Sequence, residues 1–164
     1  MSHDYPFQLR YHHVGIFVSN MDRSIAWYDE MLGYKLAFRK VFDLPNQGPV
    51  EMAWVKHSDH YIELYEYKNK KKPFSVEDYL GSLGTKHLCL YVDDADLAPL
   101  TQYLESKGAE FWVKHHWPPE ATGKPTGCGV IYIKDPDGIL VEIQQSYTPG
   151  EYEAAGSATS VQER

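Results

Sequence analysis

The sequence predicts an α+β protein built from two βαβββ modules, and three observations carry that reading. First, His13-Val14-Gly15-Ile16-Phe17-Val18 recurs as His87-Leu88-Cys89-Leu90-Tyr91-Val92, and Tyr61-Ile62-Glu63-Leu64 recurs as Leu140-Val141-Glu142-Ile143. Similarity at so long a period signals duplicated structural units. Second, within each copy the hydrophobic period changes from two to helical spacing and back to two. Third, glycine-bearing stops fall between these runs, at Gly33, at Gly108 and in Asp135-Pro136-Asp137-Gly138.

Taken in order, His13 to Val18 alternates as a strand, with Val14, Ile16 and Val18 on one face and His13, Gly15 and Phe17 on the other. Met21, Ile25, Tyr28 and Leu32 then recur at helical spacing, behind a Ser19/Asn20 cap and before Gly33 as the stop. Strands are expected around Lys35 to Phe42, Glu51 to Lys56 and His60 to Tyr67, separated by the Pro45 to Gly48 turn and by Ser58-Asp59. The second module repeats the order. It has a strand from His87 to Val92, a helix near Asp96 to Lys107 with Leu97, Leu100 and Leu104 inward, and Gly108 as its stop. Strands follow around Glu110 to Lys114, Gly129 to Lys134 and Ile139 to Gln144. The last two are joined by the Asp-Pro-Asp-Gly turn, whose glycine supplies a positive φ. The expected organisation is an arm at 1–10, a single domain at 11–148 and a disordered tail at 149–164. The domain comprises modules 11–67 and 85–148 with a linker at 68–84. The tail is rich in Pro, Gly, Ala, Ser and Glu and lacks apolar periodicity.

Composition narrows the function classes. The chain of 164 residues is 43% hydrophobic and carries a net charge of −7, and its one basic cluster is Lys68 to Lys72. That balance argues against a nucleic-acid partner, which selects for a basic face. No apolar run reaches the roughly eighteen residues of a membrane helix, and no signal-peptide run opens the chain, so a cytoplasmic protein off the membrane is expected. Cys89 and Cys128 lack C-x-x-C neighbours and are read as reduced thiols.

The period-two argument also selects the chemistry. Ile62 and Leu64 flank Glu63, Leu88 and Leu90 follow His87, and Val141 and Ile143 flank Glu142, so in each strand the polar residue faces away from the aliphatic side. His13, Glu63, His87 and Glu142 are therefore metal-ligand candidates on cleft-lining faces. Two neutral imidazoles and two carboxylates neutralise a dication and leave two octahedral positions open. Nitrogen and oxygen donors without thiolate suit a catalytic Zn, Ni, Co, Mn or Fe ion. His12 neighbours His13, but adjacent strand residues point to opposite faces, and the Val14-Gly15-Ile16-x-Val18 frame selects His13. His3, His57, His60, His115 and His116 read as terminal, turn or loop residues, with His116 at a cleft rim. Phe17, Tyr61, Tyr65, Cys89, Tyr91 and Gln144 share the ligand faces and are expected to line a substrate pocket. An aromatic wall of this kind suits a flat or apolar substrate.

At these residues the chain resembles the vicinal oxygen chelate superfamily, which includes glyoxalase I, methylmalonyl-CoA epimerase, extradiol dioxygenases and the fosfomycin and bleomycin resistance proteins. The resemblance covers about Tyr11 to Gln145. It rests on His-Val-Gly-Ile-x-Val followed by Asp22-Arg23-Ser24-Ile25-Ala26-Trp27-Tyr28, on Tyr61 to Leu64, on His87 to Asp94, and on Lys134 to Gly138 ending at Glu142. It implies paired βαβββ units forming a cupped eight-stranded mixed sheet, the glyoxalase/bleomycin resistance/dioxygenase fold, around one divalent metal ion per chain. His13, Glu63, His87 and Glu142 fall where glyoxalase I has its two histidines and two glutamates.

The implied function is a metal-dependent lyase or isomerase of the glyoxalase or epimerase type. It would chelate two neighbouring oxygens of a small-molecule substrate and move a proton beside a carbonyl, with Glu142 or Glu63 as the base. The alternative is an Fe(II) extradiol dioxygenase, because Ile131-Tyr132-x-x-Asp135-Pro136-x-Gly138 resembles the tail of that signature and puts Tyr132 at its catalytic tyrosine. The signature histidine, expected around Gly123 to Pro125, is missing, and Glu63 adds a fourth ligand where a facial triad leaves a position open. A non-catalytic resistance or binding protein is the third reading. Modules of this family pair within a chain or across a homodimer, and the linker from Glu63 to His87 is long enough for pairing within one chain.

Overall fold

The computed structural model describes residues 10–44, 48–67, 83–122, 124 and 127–145. The arm before Arg10, turn residues 45–47, the linker residues 68–82 with the basic run, Gly123, Pro125, Thr126 and the tail from 146 onward lie outside the described residues. The chain divides into two compact units, Met1–Lys72 and Pro73–Arg164, and each carries one module.

In the first unit β1 (His13–Val18) leads into α1 (Met21–Leu32), followed by β2 (Lys35–Leu44), β3 (Gly48–His57) and β4 (His60–Tyr67). The sheet order is β1-β4-β3-β2. β1 runs parallel to β4 and the other pairs are antiparallel. The parallel pairing follows from the connection, since a helix lies between the first strand and the hairpin strands that return beside it. Asn20 caps α1 by accepting the Arg23 N–H at 2.9 Å, and Gly33 ends it at φ 71° while donating to the Asp29 carbonyl. Met21, Ser24, Tyr28 and Met31 are its buried residues, whereas Ile25 and Leu32, expected inward, are only half-buried. A row spaced by three and four residues drifts around the helix, and the buried face follows Ser24 and Met31.

The second unit repeats the plan with β5 (His87–Val92), α2 (Leu97–Ser106), β6 (Glu110–Trp117), a short α3 (Pro119–Thr122), β7 (Cys128–Lys134) and β8 (Leu140–Gln145), in sheet order β5-β8-β7-β6. Asp135 builds the last hairpin. Its carboxylate accepts the Asp137 and Ile139 N–H groups at 2.8 Å each, and Gly138 takes φ 84°. β6 runs three residues past the expected end at Lys114, so His115 and His116 are strand residues rather than loop residues. They pair with Val130 and Gly129 of β7, and this pairing overrides the weak strand signal of a His-His-Trp run.

Each unit therefore forms its own four-stranded mixed sheet with a helix against one face. Ile16, Val18, Ala53, Val55, Ile62 and Leu64 are buried in the first, and Leu97, Leu104, Ile131, Ile133, Val141 and Ile143 in the second. Each fully buried aliphatic chain stabilises by roughly 1.5–3 kcal/mol. A one-residue register slip would exchange these residues for the polar face, so the packing that holds the sheets also fixes where His13, Glu63, His87 and Glu142 point. Among the described residues no helix is long and apolar enough to cross a membrane.

Candidate metal centre

In the first module the parallel ladder sets Gly15 opposite Glu63 and His13 opposite Tyr61. His13 Nε2 lies 3.2 Å from Glu63 Oε2. Glu63 is buried, only 8% exposed, and a buried carboxylate is costly unless hydrogen bonds satisfy it. Two donors do so. The Trp54 indole N–H, on the neighbouring strand directly across from Glu63, donates to Oε1 at 2.7 Å. The Tyr65 hydroxyl also bonds the carboxylate, and its pKa is pushed up to about 12, first by burial, then by that bond and by the Glu63 charge. Phe17 stacks on Tyr65 with ring centres 5.3 Å apart, and Tyr61 stacks on His12 at the same separation.

The second module places Cys89 opposite Glu142 and Tyr132 across from it on β7, the positions held in the first by Gly15 and Trp54. His87 Nε2 lies 2.9 Å from Glu142 Oε2. The Cys89 thiol donates to the Leu90 carbonyl at 3.7 Å and lies beside Glu142; burial first, then the carboxylate charge and hydrogen bonding to it, push the thiol pKa up to about 12. The Tyr132 ring stands edge-on to His87 at 5.6 Å, with Trp112 edge-on to Tyr132 at the same distance. Gln144 lies beside Tyr91 in the ladder.

The residues selected from the sequence thus share strand faces with the His–Glu pairs, and each module joins its own pair. Among the described residues no group of three or more His, Cys, Asp and Glu side chains is gathered for a metal ion. One histidine lies elsewhere than expected. His12 precedes β1 and escapes strand alternation, so its Nδ1 reaches His13 Nδ1 at 2.8 Å. The His116 ring nitrogens lie 2.6 Å and 3.5 Å from where a Cβ on Gly127 or Gly129 would fall, while His115 packs against Trp117. Sequence reasoning missed Trp54 as a partner of Glu63. The signal was present, because a two-residue Ser58-Asp59 turn fixes the hairpin register, and counting back from it pairs Trp54 with Glu63.

The pairs suit a divalent ion. Two donors about 2.1 Å from one ion and at right angles lie about 3 Å apart. The Nε2 to Oε2 separations are 3.2 Å and 2.9 Å. Glu63 Oε1 is occupied by the indole, which orients the carboxylate so that Oε2 is the oxygen beside His13.

The sequence model of the glyoxalase/bleomycin resistance protein/dioxygenase superfamily matches residues 10–143. The chain is 30% identical to the uncharacterized protein YwbC of Bacillus subtilis, over 83% of this chain and 97% of that protein. It is 28% identical to a probable chloroplastic lactoylglutathione lyase of Arabidopsis thaliana, over 80% of this chain but 34% of that one. It is 26% identical to the mitochondrial methylmalonyl-CoA epimerase of Homo sapiens, over 84% and 74%. Among solved structures, the fosfomycin resistance protein FosX of Listeria monocytogenes, in complex with Mn(II) and sulfate, superposes with a TM-score of 0.61 at 13% identity, covering 88% of this chain and 98% of that one. Matched over most of its length by the family model, this chain belongs to the glyoxalase/bleomycin resistance protein/dioxygenase superfamily.

Proposed function

We propose that this protein is a divalent-metal-dependent lyase or isomerase that moves a proton next to a carbonyl of a small substrate with vicinal oxygens. The observation that carries the reading is the paired geometry: in each module one imidazole nitrogen and one carboxylate oxygen sit at the spacing of adjacent ligands of one ion. His13, Glu63, His87 and Glu142 would hold that ion, one per chain. Relatives named as a lactoylglutathione lyase and an epimerase favour proton-transfer chemistry.

When bound, the ion supplies Lewis-acid stabilisation of negative charge developing on a substrate oxygen. The chain supplies the rest. Glu63 accepts an indole and a phenol hydrogen bond, which disperse its charge and hold it in place. Glu142 has the thiol of Cys89 beside it, a weaker donor, and is the better proton carrier. It takes the proton from the carbon beside the carbonyl and returns it to the neighbouring position or the other face. Phe17 and Tyr91, 69% and 73% exposed, offer apolar surface beside the two pairs to the remainder of the substrate.

The second reading, an Fe(II) dioxygenase using Tyr132 as its acid or base, is favoured by one contact, the edge-on approach of Tyr132 to His87. Metal analysis followed by a screen with methylglyoxal–thiol adducts, acyl-CoA esters and catechols separates the two. Proton exchange or isomerisation without oxygen uptake supports the first. Fe(II)-dependent ring cleavage with stoichiometric oxygen uptake overturns it and makes Tyr132 catalytic.

A further inference from the structure

We infer that His12 is a positioning residue for His13, because the two rings meet through their Nδ1 atoms and so fix which nitrogen of His13 carries its proton. The inference rests on the metal reading above. A contact of 2.8 Å between the two Nδ1 atoms needs one N–H and one lone pair, so the tautomer of one neutral ring dictates that of the other. His13 Nε2 faces Glu63. If Nε2 carries the proton, it donates to the carboxylate and Nδ1 accepts from His12. To offer Nε2 as a ligand, His13 must carry its proton on Nδ1, and His12 Nδ1 is placed to accept it. A partner on the second nitrogen of a ligating histidine fixes both tautomer and ring orientation.

His12 is built into the module firmly enough to serve. Its ring lies nearly parallel to Tyr61, at 5.3 Å and 20°, and edge-on to Trp54 at 5.3 Å. Its carbonyl accepts the Tyr61 N–H at 3.3 Å. Trp54 in turn bonds Glu63, so one aromatic group braces both members of the His13–Glu63 pair. In the second module the residue before His87 is Lys86, whose ammonium has no lone pair to offer.

The test compares wild type with His12→Phe, which keeps a ring for stacking but removes the nitrogens, and His12→Asn, which returns a polar group near the Nδ1 position. Long-range proton–nitrogen spectra of metal-free protein should show one His13 tautomer in wild type, a mixture in His12→Phe and one form again in His12→Asn, with all three folded by circular dichroism. Zn(II) or Co(II) affinity at fixed pH should fall roughly 10- to 100-fold in His12→Phe and largely return in His12→Asn. An unchanged His13 tautomer in His12→Phe, or a changed tautomer with unchanged metal affinity, overturns the role. If wild type takes up neither ion, the metal reading fails and the spectra of metal-free protein alone decide the role of His12.

Discussion

The two modules share a backbone plan and differ in what surrounds the glutamate. In the first, Glu63 is buried and bonded by Trp54 and Tyr65, with Gly15 across the ladder. In the second, Glu142 has Cys89 across the ladder, and Tyr132 stands where Trp54 stands in the first. The duplicated fold sets both carboxylates at the same rung, while two side-chain exchanges, Gly15 to Cys89 and Trp54 to Tyr132, change what each one faces. One carboxylate is braced by an indole and a phenol, and the other has a thiol beside it.

The largest effect expected is on metal content. His13→Ala and His87→Ala should each take the bound ion from about one per chain to a small fraction, read by elemental analysis after dialysis, because four ligands are required and no cysteine replaces one. Full occupancy in either variant would show that its module does not contribute. Mixing His13→Ala with Glu142→Ala protein should restore no site if each chain completes its own, and restoration would show that partner chains share it.

Next in size is the division between the glutamates. Glu142→Gln should lower kcat by roughly 10²- to 10⁴-fold with little change in substrate affinity, the range for loss of a general base. Glu63→Gln keeps an amide oxygen to accept the Trp54 indole, so its turnover should fall much less. Equal losses in the two variants would end the assignment of holding to one and proton transfer to the other.

What the sequence disclosed follows the same division between backbone plan and side-chain detail. β1, β4 and β5 lie where alternation places them, because an aliphatic face, buried in β1 and β4 and half-buried in β5, favours one register. The edge strands β2 and β6 outrun their expected ends because backbone pairing, rather than aliphatic alternation, extends them. The strand positions of His13, Glu63, His87 and Glu142, and the His–Glu pair in each module, follow from repeat and alternation, which agree on them. His12 was not, since alternation binds only residues inside the strand and β1 begins one position later. Cys89 was legible as a pocket residue, but its bond to Glu142 depends on cross-strand register between β5 and β8, which are distant in sequence.

A smaller effect separates the glycines that open the third strand of each module. Gly48 has φ 78° and open space around its Cα, so Gly48→Ala bears only the left-handed strain of roughly 1–2 kcal/mol. Gly127 has φ 74°, and a Cβ there would overlap the Trp117 carbonyl and lie 2.6 Å from His116 Nε2. Gly127→Ala should therefore cost roughly a further 1–3 kcal/mol through overpacking, measured by urea unfolding. Equal losses would mean that β6 and His116 move aside freely.

The smallest effect tests the thiol that takes the place of Gly15. The Cys89 pKa is pushed up to about 12 by burial first and by Glu142 second, so at pH 8 far less thiolate forms than on an ordinary cysteine. A thiolate of higher pKa is individually more nucleophilic, which offsets about half of that loss on a logarithmic scale, and iodoacetamide should react several tens of times more slowly than with a free thiol. Glu142→Gln removes the carboxylate charge but leaves the burial, so the rate should rise partway toward the ordinary value. Cys128 is buried and adds little background, which Cys89→Gly should confirm by abolishing the alkylation signal. The sign for stability follows from the raised folded pKa. The protonated thiol is favoured in the fold, so its contribution is complete below the ordinary thiol range near pH 9 and is lost as pH rises toward 12. An alkylation rate in Glu142→Gln equal to that of wild type would show that the thiol does not sense the carboxylate, and would remove the reason for treating Glu142 and Cys89 as one unit.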